Sequence, residues 1–404
     1  MKVGILTFHK ALHVGAFLQA YSLYHILKTH FDTIIVNYLP KLYYISSPTI
    51  SAKRLIVKHR WIYKHGFTKR ITSACGEFLN YISLFGIERR KEIVYENNLH
   101  KLSLSKPITN LDELRKVIEE FHIIVVGSDQ VWNPEYLLYS DYAYLLPFKL
   151  GKTRKVAYAA SLGIDDFKNI PSHVLDIYRK CLRDFDFISL RERSHVSFLS
   201  TLINKEIYHA VDPTLLINKE WWEAKARCVK GVTGLNVRTC EYVFIYNLNY
   251  DMLLKLEPLI DKLAHEGVGI IAYALPRPFP LRKSLNSLKH FIRLVKKVKF
   301  VEYIDPFEFL WLVKNAKYVI TNSYHGTIFS IIFEKPFVTI PFRVNATRML
   351  DLLELLSLTN RIAYTNNEIM HKLNDNIDFN TVKTLLDFHR QCSLKLLINA
   401  LNTL

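Results

Sequence analysis

The chain is short of acid and of cysteine, and it lacks the common short motifs that hold a cofactor. Its 404 residues include five cysteines, Cys75, Cys181, Cys228, Cys240 and Cys392, and no two of them form a C-x-x-C pair. That scatter argues against a zinc ribbon and against a disulfide framework, and it fits a reducing cytoplasm. Sixteen histidines are present, but none falls into H-E-x-x-H or a comparable ligand spacing, so no metal is expected. There is no G-x-G-x-x-G and no P-loop, which removes the two familiar nucleotide fingerprints. No uninterrupted apolar stretch reaches about 18 residues, so a membrane-spanning helix is not expected. The opening "MKVGILTFHK" carries an apolar run too short for a signal-peptide core. Internal repeats and low-complexity tracts are absent as well.

What is present reads as a folded, two-domain protein. Hydrophobic residues make up 50% and charged residues 23% of the chain, a balance that builds cores rather than disorder. At this length one core is unusual and two are expected. The 54 Lys and Arg outnumber the 37 Asp and Glu, leaving a formal charge of +17. Between Lys41 and Lys106 there are 13 basic residues against 4 acidic ones, including "KRLIVKHRWIYKHGFTKR" at 53–70. Cations interleaved with apolar and aromatic residues suit a solvated helix covering a domain face, or an anionic membrane surface. Nucleic acid is the weakest reading, because no recognition module accompanies the charge.

Strand-like apolar runs alternate with helical patterns. The first series is "KVGILTF" (2–8), "TIIVNYL" (33–39), "IIVVGSD" (123–129), "KVAYAAS" (155–161), "FISLRE" (187–192) and "IYHAVDPT" (207–214). The second is "YVFIYNL" (242–248), "GIIAYAL" (269–275), "KFVEYID" (299–305), "KYVITNS" (317–323) and "PFVTIP" (336–341). Nearly continuous apolar runs are typical of parallel strands buried on both faces. The intervening 15–30, 112–121, 253–267 and 306–316 read as helices, so the chain is α/β. We place a Rossmann-like N-terminal domain at 1–220, with 41–106 as a basic insertion. A second occupies 221–370, and a helical segment, 371–404, is expected to brace the first domain.

In open parallel sheets ligands collect beyond the carboxyl ends of the strands. In "VITNSYHGTIFSIIF" a strand ends at Asn322 and Ser323 and a buried helix begins near His325. Its N-terminus would attract phosphate or carboxylate, with Gly326 allowing close approach and His325 titrating near neutrality. A plain structural cap explains the same residues. "VVGSDQVWNP" sets Ser128 and Asp129 at a strand end, where Asp129 could take a proton from a substrate hydroxyl and Trp132 could stack on a sugar. Capping by Ser128 or Asp129, with Trp132 anchoring a turn, is the alternative. "ISLRERS" offers Arg191, and "PFRVNATR" offers Arg343 and Arg348, as forks for an anion. Gly15 and Gln19 lie at the first strand-to-helix junction.

Taken in order, "GAFLQAYSLY", "VVGSDQVWNP", "KVAYAASLG", "ISLRERS", "AVDPTLL" and "TNSYHGTIFSIIFEKPFV" resemble the polysaccharide pyruvyl transferase family over roughly residues 1 to 362. The chain departs from it at His13-Val14-Gly15, where the family often has Asn-Tyr-Gly. It departs again at Asn322-Ser323-Tyr324-His325-Gly326, where Asp-Ser-Phe-His-Gly is common. The resemblance implies a fold similar to GT-B glycosyltransferases, two Rossmann-like domains facing a cleft. It implies transfer of a pyruvyl group from phosphoenolpyruvate, as co-substrate and without a cofactor, to a sugar of a surface polysaccharide or its lipid-linked precursor. His325 and Asp129 become the expected catalytic residues. Arg191, Arg343, Asn322, Ser323, Gly326 and Thr327 are expected around the donor, and Gly15, Gln19, Ser128 and Trp132 around the acceptor. A cytoplasmic protein, peripheral on the inner membrane face, would fit that acceptor. The alternative is a GT-B glycosyltransferase with a nucleotide-sugar donor, because "HGTIFSIIFEKPFVTIP" loosely resembles the donor helix of such enzymes.

Overall fold

A computed structural model of the chain describes residues 1–39, 86–87, 89–137, 142–168, 170–229, 241–247, 250–274, 293–294, 296–301, 303–341 and 346–402. Most of the basic segment 41–106, and Arg343, lie outside the described residues.

Two parallel sheets carry the fold. The first contains β1 (Lys2–Leu6), β2 (Asp32–Ile35), β3 (Ile123–Val126), β4 (Arg154–Ala160), β5 (Phe187–Leu190) and β6 (Tyr208–His209), in the order β2-β1-β3-β4-β5-β6. The second contains β7 (Tyr242–Asn247), β8 (Gly269–Ala274), β9 (Lys299–Phe300), β10 (Tyr318–Thr321) and β11 (Phe337–Thr339), in the order β11-β10-β7-β8-β9. Every pairing is parallel, with Val3 opposite Ile123 in the first sheet and Tyr318 opposite Val243 in the second.

Alternation within each strand divides the apolar side chains between two faces. Val3, Ile5, Ile123, Val125, Tyr242, Phe244 and Tyr246 enter one continuous core that runs across the inner sides of both sheets. Leu6, Ile124 and Val126 enter a second core behind the first sheet, and Val243 and Ile245 a third behind the second. The two lobes therefore share their central packing. Trp222 helps to join them: its indole N–H donates to Thr214 O at 3.1 Å while its ring meets Phe329 edge-on at 5.0 Å. Residues 89–99 are helical and send Tyr95 and Leu99 into the same shared core.

The last helix, Phe379–Asn402, returns to the first lobe. Ser393 Oγ accepts from Val211 N at 3.1 Å, and Arg390 Nε donates to Leu215 O at 2.7 Å. Among the described residues no helix is long and apolar enough to cross a membrane. One helical expectation is corrected. The stretch 253–267 is broken into Tyr250–Lys255 and Glu257–His265, with Pro258 in the first turn of the second helix. Proline has no N–H to continue the first helix but suits the start of a new one.

Candidate active site

The carboxyl ends of β3, β5 and β6 bring Asp129, Arg191 and Asp212 together, and two helices of the second lobe supply the rest. Arg191 follows β5 directly and is buried. Its Nη1 donates to Asp212 Oδ2 at 2.9 Å, and its Nη2 stands 3.5 Å from Asp129 Oδ1. The guanidinium lies 4.5 Å from the centre of the Tyr324 ring. Tyr324 opens the helix Tyr324–Ile332, and the next residue, His325, points Nε2 at Asp212 Oδ2, 3.6 Å away. From the helix Thr347–Leu355, Arg348 comes to 5.7 Å of the same Tyr324 ring. Two guanidiniums and an imidazole thus surround one aromatic ring where the lobes meet.

The first lobe fits closely against His325. Gly15 lies in the first turn of the helix Val14–Lys28, and a Cβ added there would sit 2.0 Å from His325 Nδ1. His13 caps that helix, its Nδ1 accepting from Gly15 N at 3.2 Å.

The charges are mutually dependent. Burial would raise the Asp212 carboxyl, but His325 and Arg191 hold it well below the ordinary range. Asp129 is also held low, with Arg191, His325 and Arg348 outweighing the burial that opposes them. Asp129 takes a left-handed backbone (φ 67°), uncommon without glycine, and its carbonyl accepts from Ser161 N at 2.9 Å. Burial, with His325 and Arg348 adding to it, depresses His13 to about 4 although Asp129 opposes them. Burial and then Arg191 lower Arg348.

The polar capacity is not used up internally. Arg191 Nε and Nη2, His325 Nε2, Arg348 Nε and Glu192 Oε2 are buried with no hydrogen-bond partner among the described residues. Buried cationic donors in that state are suited to an anionic ligand. Among the described residues no group of three or more His, Cys, Asp or Glu could hold a metal ion.

Several expectations change. Trp132 does not line the cleft. It is fully buried, packs edge-on against Phe185 at 5.7 Å, and donates its indole N–H to Tyr144 O at 3.0 Å. Ser128 is also buried, its Oγ donating to Ala159 O at 2.6 Å and its N–H to Gln19 Oε1 at 3.1 Å. Gln19 Nε2 in turn donates to Thr7 Oγ1 and Ala16 O, both at 2.9 Å. Ser128 and Gln19 tie the first helix to β3 and are fully buried there, away from any sugar.

On the donor side, Gly326 serves packing, because a Cβ there would lie 2.3 Å from Thr321 Oγ1. Ser323 is the helix cap, accepting from Gly326 N at 3.3 Å. Thr327 is buried against Ser323 O and Thr339 Oγ1. Asn322 turns its amide to Met252 Sδ at 3.3 Å. The plain capping explanation therefore covers Ser323, and His325 and Arg191 are what remain of the expected donor group within the described residues. Asp212, Tyr324 and Arg348 join them. Asp212 and Arg348 stand in the strand-end motifs "AVDPTLL" and "PFRVNATR", but spacing gave them no partner.

Two facing parallel-sheet lobes with a charged site at their carboxyl edges define the GT-B class. Solved structures agree in fold. UDP-N-acetylglucosamine 2-epimerase from Rickettsia bellii matches with a TM-score of 0.54 at 11% identity, covering 99% of this chain and 96% of its own. MnaA of S. aureus, solved with UDP, matches at 0.54 and 11%, covering 100% and 98%. HepE of Anabaena, also solved with UDP, matches at 0.54 and 12%, covering 100% of both chains. No curated protein matches in sequence. The polysaccharide pyruvyl transferase model matches residues 13–342, and the chain belongs to that family.

Proposed function

We propose that this chain takes phosphoenolpyruvate as donor and transfers its pyruvyl unit, as a ketal, to a sugar of a surface polysaccharide or its lipid-linked precursor. The observation that carries this reading is the set of buried nitrogens on Arg191, Arg348 and His325 around Tyr324 that make no hydrogen bond among the described residues. A donor bearing both phosphate and carboxylate matches two guanidinium forks better than a single anion would.

The chemistry follows from the charges. His325, kept near the Asp212 carboxylate, gives a proton to the donor's methylene carbon, which becomes a methyl group and leaves a cationic centre at C2. A sugar hydroxyl adds there and its proton returns to the imidazole. Inorganic phosphate then leaves C2 with its bonding electron pair, stabilised by the guanidiniums, and a neighbouring hydroxyl closes the ketal and releases its proton. Asp129, expected from sequence as the base, is a weaker proton acceptor than an ordinary aspartate, because Arg191, His325 and Arg348 hold its carboxyl low. Its role in this reading is to hold Arg191. In place of Trp132, Tyr136 is the acceptor platform: it is half-buried, edge-on to Phe8 at 6.2 Å, and within the field of Asp129 and Arg348. A lipid-linked acceptor would bring the protein to the inner membrane face, with the basic segment 41–106 as the contact.

Phosphate release from phosphoenolpyruvate, measured with a panel of oligosaccharide acceptors, tests the reading. His325→Ala should lower turnover by about a hundredfold or more, the usual size of a lost general acid, with donor affinity changed only a few-fold. Undiminished turnover would remove His325 from the chemistry. Thermal stabilisation by nucleotide sugars but not by phosphoenolpyruvate would overturn the donor assignment.

A further inference from the structure

The helix that delivers Arg348 is held by the opposite lobe. The residue at its N-cap position, Ala346, makes no side-chain capping bond. The cap comes instead from Asp165, beyond β4 in the first lobe, whose Oδ1 accepts from Thr347 N and Thr347 Oγ1, both at 3.1 Å. A carboxylate at this point also complements the positive end of the helix. One turn later the arrangement is reciprocal. Asp351, on the same face of the helix as Thr347, accepts at Oδ2 from Ser194 N at 3.0 Å and from Ser194 Oγ at 2.9 Å. Ser194 lies three residues after Arg191, and Asp165 lies two after Gly163, whose N–H donates to the buried Glu192. Both clasps are at the surface, and Arg348 sits between them in sequence, turned inward.

Burial and repulsion from Arg191 oppose placing Arg348 here, attraction to the Asp129 and Glu192 carboxylates offsets only part of that, and among the described residues Arg348 Nε makes no hydrogen bond. The two surface contacts between the lobes add a hold on the helix from outside the site. We propose that Asp165 and Asp351 are positioning residues, two interlobe clasps that keep Arg348 over Tyr324 and so prepare the second guanidinium for the donor. This rests on the assignment of phosphoenolpyruvate as donor only for its kinetic arm. The structural arm stands alone.

The test compares wild type, Asp165→Ala/Asp351→Ala, Asp165→Asn and Arg348→Ala. Amide hydrogen exchange across 347–355 is read in the unliganded protein, and initial rates are read against phosphoenolpyruvate. The double variant should exchange these amides about tenfold faster and raise the donor KM about tenfold, with kcat within about threefold, as expected for losing one exposed cap and one exposed interlobe contact. Asparagine at 165 still accepts hydrogen bonds and should behave nearly as wild type. In an Arg348→Ala background the two alanines should add less than about twofold to KM, because the group they position is gone.

Unchanged exchange in the double variant, or an equal KM penalty without Arg348, overturns the proposal. If the double variant does not fold, Asp165→Ala alone carries the same expectations at about half the logarithmic effect. A wild type that never saturates with phosphoenolpyruvate defeats the donor assignment, and the exchange data then decide the clasps by themselves.

Discussion

Gly15→Ala is the sharpest probe of how the lobes meet. The new methyl carbon would stand 2.0 Å from His325 Nδ1, whereas ordinary carbon–nitrogen contact needs about 3.5 Å. The imidazole must therefore retreat by about 1.5 Å, or the lobes must part. Displacements near 1 Å can cost about a hundredfold in rate, and the 3.6 Å contact to Asp212 belongs to the same ring. Stability moves little, because two effects oppose. Overpacking costs about 1–3 kcal/mol, while alanine is favoured over glycine in a helix by up to about 1 kcal/mol. The net loss, at most about 3 kcal/mol, lowers the melting temperature by only a few degrees in a chain of this size. The assay is phosphate release alongside thermal denaturation, in wild-type and His325→Ala backgrounds. We expect turnover to fall by about two orders of magnitude in the first and to change less than about threefold in the second, where no ring remains to collide. Full activity in Gly15→Ala, or the same fractional loss in both backgrounds, would refute the close fit.

Two further outcomes follow from the burial of Trp132 and of the histidines. Trp132→Phe removes the donor to Tyr144 O, so stability should fall by about 1–3 kcal/mol in urea titrations, the cost of an orphaned buried acceptor. The acceptor KM should stay unchanged, and a large rise would return Trp132 to the cleft. His13 and His209 both have pKa values pushed from 6.5 to about 4, chiefly by burial. The unfolded chain binds protons there that the folded one does not, so stability should decline as pH falls from about 6.5 to about 4 and level off below for these groups. The low-lying Asp212 and Asp129 add a further loss at more acid pH. His13→Asn should flatten part of the upper slope, and an unchanged slope would mean that His13 takes up its proton in the fold as readily as in the unfolded chain.

The strands were legible because burial on both faces leaves one dominant signal, an apolar run, and each of the eleven strands among the described residues arises from such a run. The break at Pro258 was also written in the chain, but the apolar period on either side conceals it. The site was legible only in part, for a geometric reason. A polar or aromatic residue just past a strand can turn toward the cleft or back into the sheet, and sequence spacing does not distinguish the two. Trp132 and Ser128 turn back, since Tyr144 O and Ala159 O offer them partners within the lobe. Arg191 turns outward, since its partners Asp129 and Asp212 both end strands of the same sheet. Arg348 is harder still, because the Tyr324 ring and the Asp129 carboxylate that attract it lie on another helix and another lobe. Its helix is capped by a residue 182 positions away. Residues that complete a site only when two lobes close carry no local pattern of their own, so each must be found through the contact that brings it there.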